Sequence, residues 1–480
     1  MNMFYSFHLH DRFNQYSLLL QGGRLFQQYL VNAYICIEQN RIDYIESIQP
    51  TLRNEYFQGL HDALLKADLD GHDVGKRTIL PSSFTGGPRY MYKHYQDALA
   101  ICRVHGNPQY FITFTCNVMW PKITRHFNSF PHTKREDRPD IIARVFEMKV
   151  QDFIKHLRNE RLFGEVAADL YTIEFQKIGL PHCHTLLWVT SPYKITTPEQ
   201  VDQFIPAEIP DPTDDPHLHM IVTKFMMHGP CGLAHTSSTC MVNGMCSKNF
   251  PKKYQYVTQF DNNGYVHYVR RNNSRFIIKN GIELDNSYVA PYNRNLCLTF
   301  EAHINVEYCG WSMMIKYLFK YISKGAHHVR AKITQPLHDT TNDCTTQPKQ
   351  NFVDARFIYP HEAAWRIFNF DIHNRNPIVQ VLVVHLENMQ TVTFKGNQSL
   401  ENIINNPSAK KTTLTQWLHN NKTDETGCHL TYIDYLSEYR WITEQKNWVR
   451  RATRRTPTIG RLIYVLEAME RKSTEKGEKT

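Results

Sequence analysis

The stretch LYTIEFQKIGLPHCHTLLWV, residues 170–189, constrains the fold more than any other. Both halves are rich in β-branched, aromatic and aliphatic residues, with Gly179 between them. The pattern predicts a β-hairpin turning around Lys177–Gly179. Side chains alternate faces along a strand, so His182 and His184 point the same way. With a three-residue turn, Glu174 lies opposite His182 and Gln176 opposite Leu180. A one-residue change in turn length moves both polar residues to the other face.

Two imidazoles on one strand face can share an ion, and an oxygen from Glu174 or Gln176 would complete the set. Two nitrogens and one oxygen with open positions suit Mg²⁺ or Mn²⁺, and Zn²⁺ on softness alone. The competing reading is a row of ordinary polar residues on a solvated strand. Spacing by itself is weak, because 25 histidines in 480 residues give about one His-x-His by chance. His8/His10 and His217/His219 share the spacing, but no strand partner orients them, so both are read as ordinary.

A second pair of side chains adds chemistry. KYLFKYISKG places Tyr317 and Tyr321 one helical turn apart, interleaved with Lys316, Lys320 and Lys324. Tyr288/Tyr292 contains Pro291, and Tyr435/Tyr439 lies among Asp434 and Glu438, so neither matches it. A tyrosine with a pKa of about 10 is a poor nucleophile unless lysines or a metal stabilise its phenolate. A cation on His182 and His184 would polarise a phosphodiester, and two tyrosines would permit two successive transesterifications. The bland alternative is an amphipathic helix whose tyrosines extend its apolar stripe.

Composition sets the outer limits. Hydrophobic residues make up 41% and aromatic residues 12% of the chain, a globular balance sufficient for a large core. Net charge is +9, compatible with a polyanionic partner. Eleven scattered cysteines and an opening without a signal-peptide pattern point to a reducing compartment. No run of about 18 apolar residues predicts a membrane span, and no G-x-x-x-x-G-K-[ST] predicts a P-loop ATPase.

Along the chain, residues 1–100 read as a helical region and 101–334 as an α+β core. The core carries the strand YFITFTCNVMWP, a helix over 137–163 and a cysteine-rich insertion near 226–251. A polar linker spans 335–352. Residues 353–480 read as an α/β flank with a hairpin at VQVLVVHLENMQTVTF. Within the insertion, His228, Cys231, Cys240 and Cys246 are candidate zinc ligands, although their spacing is not that of a standard finger. Reduced, partly buried cysteines are the other reading. In the flank, Arg450, Arg451, Arg454 and Arg455 fall at helical spacing beside Trp448 and Trp441. Arginine with exposed aromatics is what a single-stranded DNA platform needs, and a solvated helix face is the alternative.

Taken together, these stretches resemble the N-terminal Helitron-like domain of Helitron rolling-circle transposases, two-tyrosine members of the HUH endonucleases. LPSSFTGGPRYM, FITFTCNVMWP, EFQKIGLPHCHTLLWV, HGPCG, KYLFKYISKG and DARFIYPHEAAWRIF carry the likeness, in that order, over roughly Arg24 to Arg461. The resemblance implies a replication-initiator type antiparallel sheet flanked by helices. It also implies Mg²⁺- or Mn²⁺-dependent nicking and joining of single-stranded DNA through 5′-phosphotyrosine, in the nucleus. His182 and His184 match the metal histidines, Glu174 and Gln176 the adjoining strand positions, and Tyr317 and Tyr321 the tyrosine pair. Ile178 stands where an arginine is usual. The helicase that normally follows is not found, so unwinding is expected of a separately encoded helicase. Two rivals stand beside this reading. One is a degenerate or domesticated copy that only binds DNA; the other is a zinc hydrolase using the same histidines. The residues say nothing of oligomeric state.

Overall fold

The computed structural model describes residues 1–12, 15–48, 52–56, 76–77, 81–130, 132–175, 179–262, 264–309, 328–333, 351–452 and 458–464. The chain is mixed α+β, built on a five-stranded antiparallel sheet. The elements that frame it are α1 (Arg24–Ile48), α2 (Pro88–His105), β1 (Tyr110–Thr115), α3 (Pro139–Asn159), β2 (Val166–Phe175), β3 (Pro181–Val189), β4 (Ile304–Tyr308), α4 (Pro360–Ile367) and β5 (His373–Asn376). Strand order is β4-β1-β3-β2-β5. One edge strand therefore comes from the stretch after the cysteine-rich insertion, and the other from the C-terminal flank.

The predicted hairpin forms as β2 and β3, paired from Val166↔Val189 to Phe175↔Pro181. That register sets Glu174 opposite His182. β1 pairs on the other side of β3, with Thr115 opposite His182 and Thr113 opposite His184. Because side chains alternate, every strand sorts into two rows.

One row faces α3. Phe114, Ile112, Cys183, Ile173 and Tyr171 are buried there against Ile142, Phe146, Phe153 and Leu157 of the helix. Phe114 sits at the centre, 4.8 Å from the Phe153 ring and 5.5 Å from the rings of Phe146 and Phe300. Truncating such a phenylalanine costs about 3–5 kcal/mol. Arg158 near the end of α3 grips Asp169 of β2 through two 2.7 Å hydrogen bonds, fixing helix to sheet. Burial raises the Asp169 carboxyl pKa, and the guanidinium opposes that rise.

The opposite row divides along its length. Phe111, Leu170, Leu186 and Trp188 are buried against Ala98 and Ile101 of α2. Further along the same face the apolar residues stop, and Thr113, Thr115, Glu174, His182 and His184 follow. Two strand residues on, Leu186 and Trp188 continue as a hydrophobic wall what His184 ends as a polar one.

Several sequence expectations need correction. Residues 1–100 are not wholly helical: Leu52–Tyr56 is a strand, paired antiparallel with Thr391–Lys395. VQVLVVHLENMQTVTF is not a hairpin. Its first half lies in β6 (Ile378–Val384), which pairs in parallel with β8 (Thr458–Tyr464), and its second half is the partner of Leu52–Tyr56. Burial explains the choice. Val379 and Ile459 enter the apolar cluster under α2, while Leu382 enters a separate one with Tyr432, Tyr435 and Trp448. Local alternation could not distinguish these partners.

The helical spacing read at the basic cluster is overturned at its described start, Trp448 to Arg450. Residues 447–450 form β7 (Asn447–Arg450), paired with Tyr439–Ile442. Trp448 is buried, its Nε1 donating to the Thr413 carbonyl at 2.9 Å, so it offers no exposed stacking face. Among the described residues, no helix is long and apolar enough to cross a membrane.

Candidate metal centres

The sheet site is assembled by register alone. Glu174, His182 and His184 share the face that α2 leaves at Phe111 and Leu186, and each histidine is held from the side by a threonine of β1. His184 Nε2 lies 2.9 Å from Glu174 Oε2. Its other nitrogen, Nδ1, lies 3.1 Å from Thr113 Oγ1. His182 Nδ1 lies 3.0 Å from Thr115 Oγ1, and the same hydroxyl is 3.3 Å from His303 Nδ1. The two histidine rings are nearly parallel, 15° apart with centroids 6.4 Å apart, and the Phe111 ring stacks on His184 at 5.6 Å.

Both histidines are almost fully buried, at 7% and 8% exposure. Burial, with His184 and His303 adding to it, pushes the His182 pKa down to about 3 against the pull of Glu174. His303 falls to about 4, through burial and then the nearby His228. A neutral imidazole with a free lone pair is the form that binds a cation. Two imidazoles and a carboxylate on one wall are of the donor types a divalent ion takes, but among the described residues the donor atoms that close within 4.8 Å of one another are those of the cysteine-rich insertion. Glu174 is the carboxylate that lies beside His184. Gln176 lies outside the described residues, as do Tyr317, Lys320, Tyr321 and Lys324, and Arg454 and Arg455 of the basic cluster.

The second centre lies in the cysteine-rich insertion. The ligand atoms of His228, Cys231, Cys240 and Cys246 all lie within 4.8 Å of one another. Four bonds of about 2.3 Å in a tetrahedron give edges of roughly 3.8 Å, so modest closure suffices. These four residues can hold a metal such as zinc. The local fold follows from MVNGMC: Asn243 and Gly244 both have positive φ, 51° and 78°, the conformation a two-residue hairpin turn requires. The turn pairs Met241 with Cys246, and Ser247 N donates to the Cys240 carbonyl. Both thiols thus reach one spot.

His228 is fixed by its backbone N–H, which donates to Tyr288 O at 2.8 Å, and its Nε2 lies 3.3 Å from Cys246 Sγ. Burial pushes the Cys231 thiol up to about 12 and raises Cys240. For Cys246, burial acts upward too, but backbone N–H groups of Phe250 and Lys248 and the neighbouring thiols bring it below its ordinary value. Cys246 is thus shifted in the opposite direction from Cys231 and Cys240.

The remaining histidine pairs behave as ordinary residues. His219 Nδ1 lies 2.9 Å from the Pro210 carbonyl, and His10 Nδ1 lies 3.0 Å from an Arg144 nitrogen. Arg450 is exposed, 3.9 Å from Glu438. Arg451 is spent on structure, its Nε donating to the Leu436 and Tyr439 carbonyls. Sequence reasoning missed Thr113, Thr115 and His303. The signal for the threonines was present in FITFTCN, where they recur at the strand period of two. His303 had no local signal, since it precedes a strand that only the fold brings alongside β1.

Residues 4–187 match the family described as Helitron helicase-like domain at N-terminus. The matched span includes β1, α3, β2 and most of β3, and with them Glu174, His182 and His184. His303, the cysteine cluster and the tyrosine pair lie beyond it. No curated protein matches the chain.

Proposed function

We propose, for a chain whose residues 4–187 match the Helitron helicase-like N-terminal domain family, metal-dependent nicking and strand transfer on single-stranded DNA in the nucleus. One observation supports this reading beyond family likeness: Glu174, His182 and His184 share one face of the sheet, with His184 Nε2 2.9 Å from the Glu174 carboxylate. His182, His184 and Glu174 would hold Mg²⁺ or Mn²⁺, whose charge polarises the scissile phosphate when bound. Tyr317 or Tyr321 is the nucleophile. A phosphorus–oxygen bond forms to the phenol while the bond from phosphorus to the 3′ oxygen breaks. The phenol gives up its proton, and the 3′ oxygen takes one up as a free hydroxyl. The 5′ end stays on tyrosine until another 3′ hydroxyl displaces it. Lys320 and Lys324 offset charge on the phenolate and the phosphorane.

The test is an adduct gel with labelled single-stranded DNA and Mn²⁺. The wild-type chain is expected to give a denaturant-resistant adduct, lost in the Tyr317→Phe/Tyr321→Phe double variant. Cleavage that persists in that variant would instead establish the hydrolase rival. No adduct with either metal would leave a DNA-binding role only.

A structural zinc ion in the cysteine-rich insertion is a further part of the proposal, supported by four donor atoms within 4.8 Å of one another. Metal analysis of purified protein is expected to find one zinc per chain, lost on Cys231→Ser/Cys246→Ser substitution.

A further inference from the structure

We infer that Thr113, Thr115 and His303 are positioning residues that fix the tautomer and aim of the two cation-binding histidines. The inference rests on the sheet site's being a cation site. It starts from hydrogen-bond accounting. A neutral imidazole has one N–H and one lone pair, and which nitrogen carries the proton is set by what the other nitrogen meets. Glu174 stands at Nε2 of His184, and Thr113 at its Nδ1. With no ion between them, His184 Nε2–H donates to the Glu174 carboxylate and Nδ1 accepts from the Thr113 hydroxyl. A cation bound at Nε2 would take that proton's place, and the proton would then sit on Nδ1 and be donated to the Thr113 oxygen.

The same logic at His182 runs further. Thr115 Oγ1 is within 3.0 Å of His182 Nδ1 and 3.3 Å of His303 Nδ1. A hydroxyl has one hydrogen and accepts elsewhere, so it cannot donate to both rings. If His182 donates from Nδ1 to Thr115, the Thr115 hydrogen goes to His303, whose Nδ1 must then be the bare nitrogen. The chain is directional: His182 Nδ1–H to Thr115, Thr115 O–H to His303 Nδ1. It leaves His182 Nε2 bare and His303 protonated at Nε2. His303 thereby sets the orientation of a ligand it does not touch.

The strands enforce this arrangement. Thr113 and Thr115 stand directly opposite His184 and His182 in the β1–β3 register, and Thr115 N donates to the His303 carbonyl at 3.0 Å. Partners of this kind typically alter metal affinity by about 10–100-fold when removed.

Two measurements on the full chain test the inference. The first titrates Mn²⁺ and follows free ion by electron paramagnetic resonance. Thr115→Val keeps the side-chain shape and is expected to weaken binding at least about tenfold, while Thr115→Ser is expected to restore it. Equal affinity in Thr115→Val and wild type would overturn the inference. The second needs no variant to fold: nitrogen-15 spectra of histidine-labelled wild type saturated with Mg²⁺ are expected to show His182 and His184 protonated on Nδ1 and His303 on Nε2. The reverse assignment at His182 would overturn it equally. His182→Ala separates the two layers. If it leaves Mn²⁺ binding at wild-type strength, the cation site itself is wrong and the inference falls with it. If it abolishes binding while Thr115→Val does nothing, only the positioning roles fail.

Discussion

The sheet site and the cysteine site bring together histidine-containing candidate ligands by opposite means. At the sheet, Glu174, His182 and His184 sit on two neighbouring strands, and backbone pairing sets their spacing before any ion arrives. In the insertion, His228, Cys231, Cys240 and Cys246 come from loops and a two-strand hairpin. Few apolar side chains lie between them: Met245 and Val242 are exposed, and Leu233 almost wholly so. A site on a packed sheet is held by its core, whereas a site on loops needs its ion to hold the loops. The first should keep its shape without metal and the second should not.

The largest expected effect tests that contrast directly. Removing the thiolate ligands with Cys231→Ser/Cys246→Ser should speed amide exchange across residues 228–250 by at least about 100-fold. Exchange in β1, β2 and β3 should stay near wild type. Equal loosening of both regions in hydrogen-exchange mass spectrometry would break the comparison.

Next in size is the converse variant. His184→Ala should weaken Mn²⁺ binding at least about 100-fold by titration, yet leave the circular dichroism spectrum and zinc content unchanged. Zinc loss in this variant would show that the two centres are not independent.

Acid should tell the regions apart more gently. His182 and His94 are held down to about 3, and His303 and His361 to about 4, mainly by burial. All four lie on or against the sheet and its helices. Their folded values lie below the unfolded value of about 6.5. As pH falls below that point the unfolded chain takes up protons first, so stability present above about pH 6.5 drains away until about pH 3–4. Tm at pH 5 should be lower than at pH 7 by on the order of 5 °C. An unchanged Tm would mean these histidines are not buried in the neutral form.

The smallest effect probes the residue between the two ligands. Cys183 faces α3, away from the row of Glu174, His182 and His184. Cys183→Ala should cost about 1 kcal/mol in denaturant unfolding and leave Mn²⁺ affinity as it was. A loss of affinity would place its side chain on the wrong face.

Much of the sheet site was legible in the residues. The hairpin, the shared face of His182 and His184, and Glu174 opposite His182 all follow from alternation and a turn marked by Gly179. The four candidate zinc ligands were likewise legible by type. Partner choice was not. VQVLVV reads equally well beside the next strand or beside one about 80 positions on, and only burial of Val379 with Ile459 decides. Trp448 looked like an exposed platform because WVRR has charge on both sides, and a local pattern cannot show what covers an indole.

The sequence by itself determined the local periods: which residues alternate, where the chain turns, and which side chains have donor atoms for an ion. Those depend on neighbours within a few positions, through sterics and backbone geometry. Tertiary structure decided which strands lie together, and so brought Thr113, Thr115 and His303 to the histidines. Long-range pairing is chosen by the total apolar surface removed from water, a sum over the whole fold that no short stretch contains.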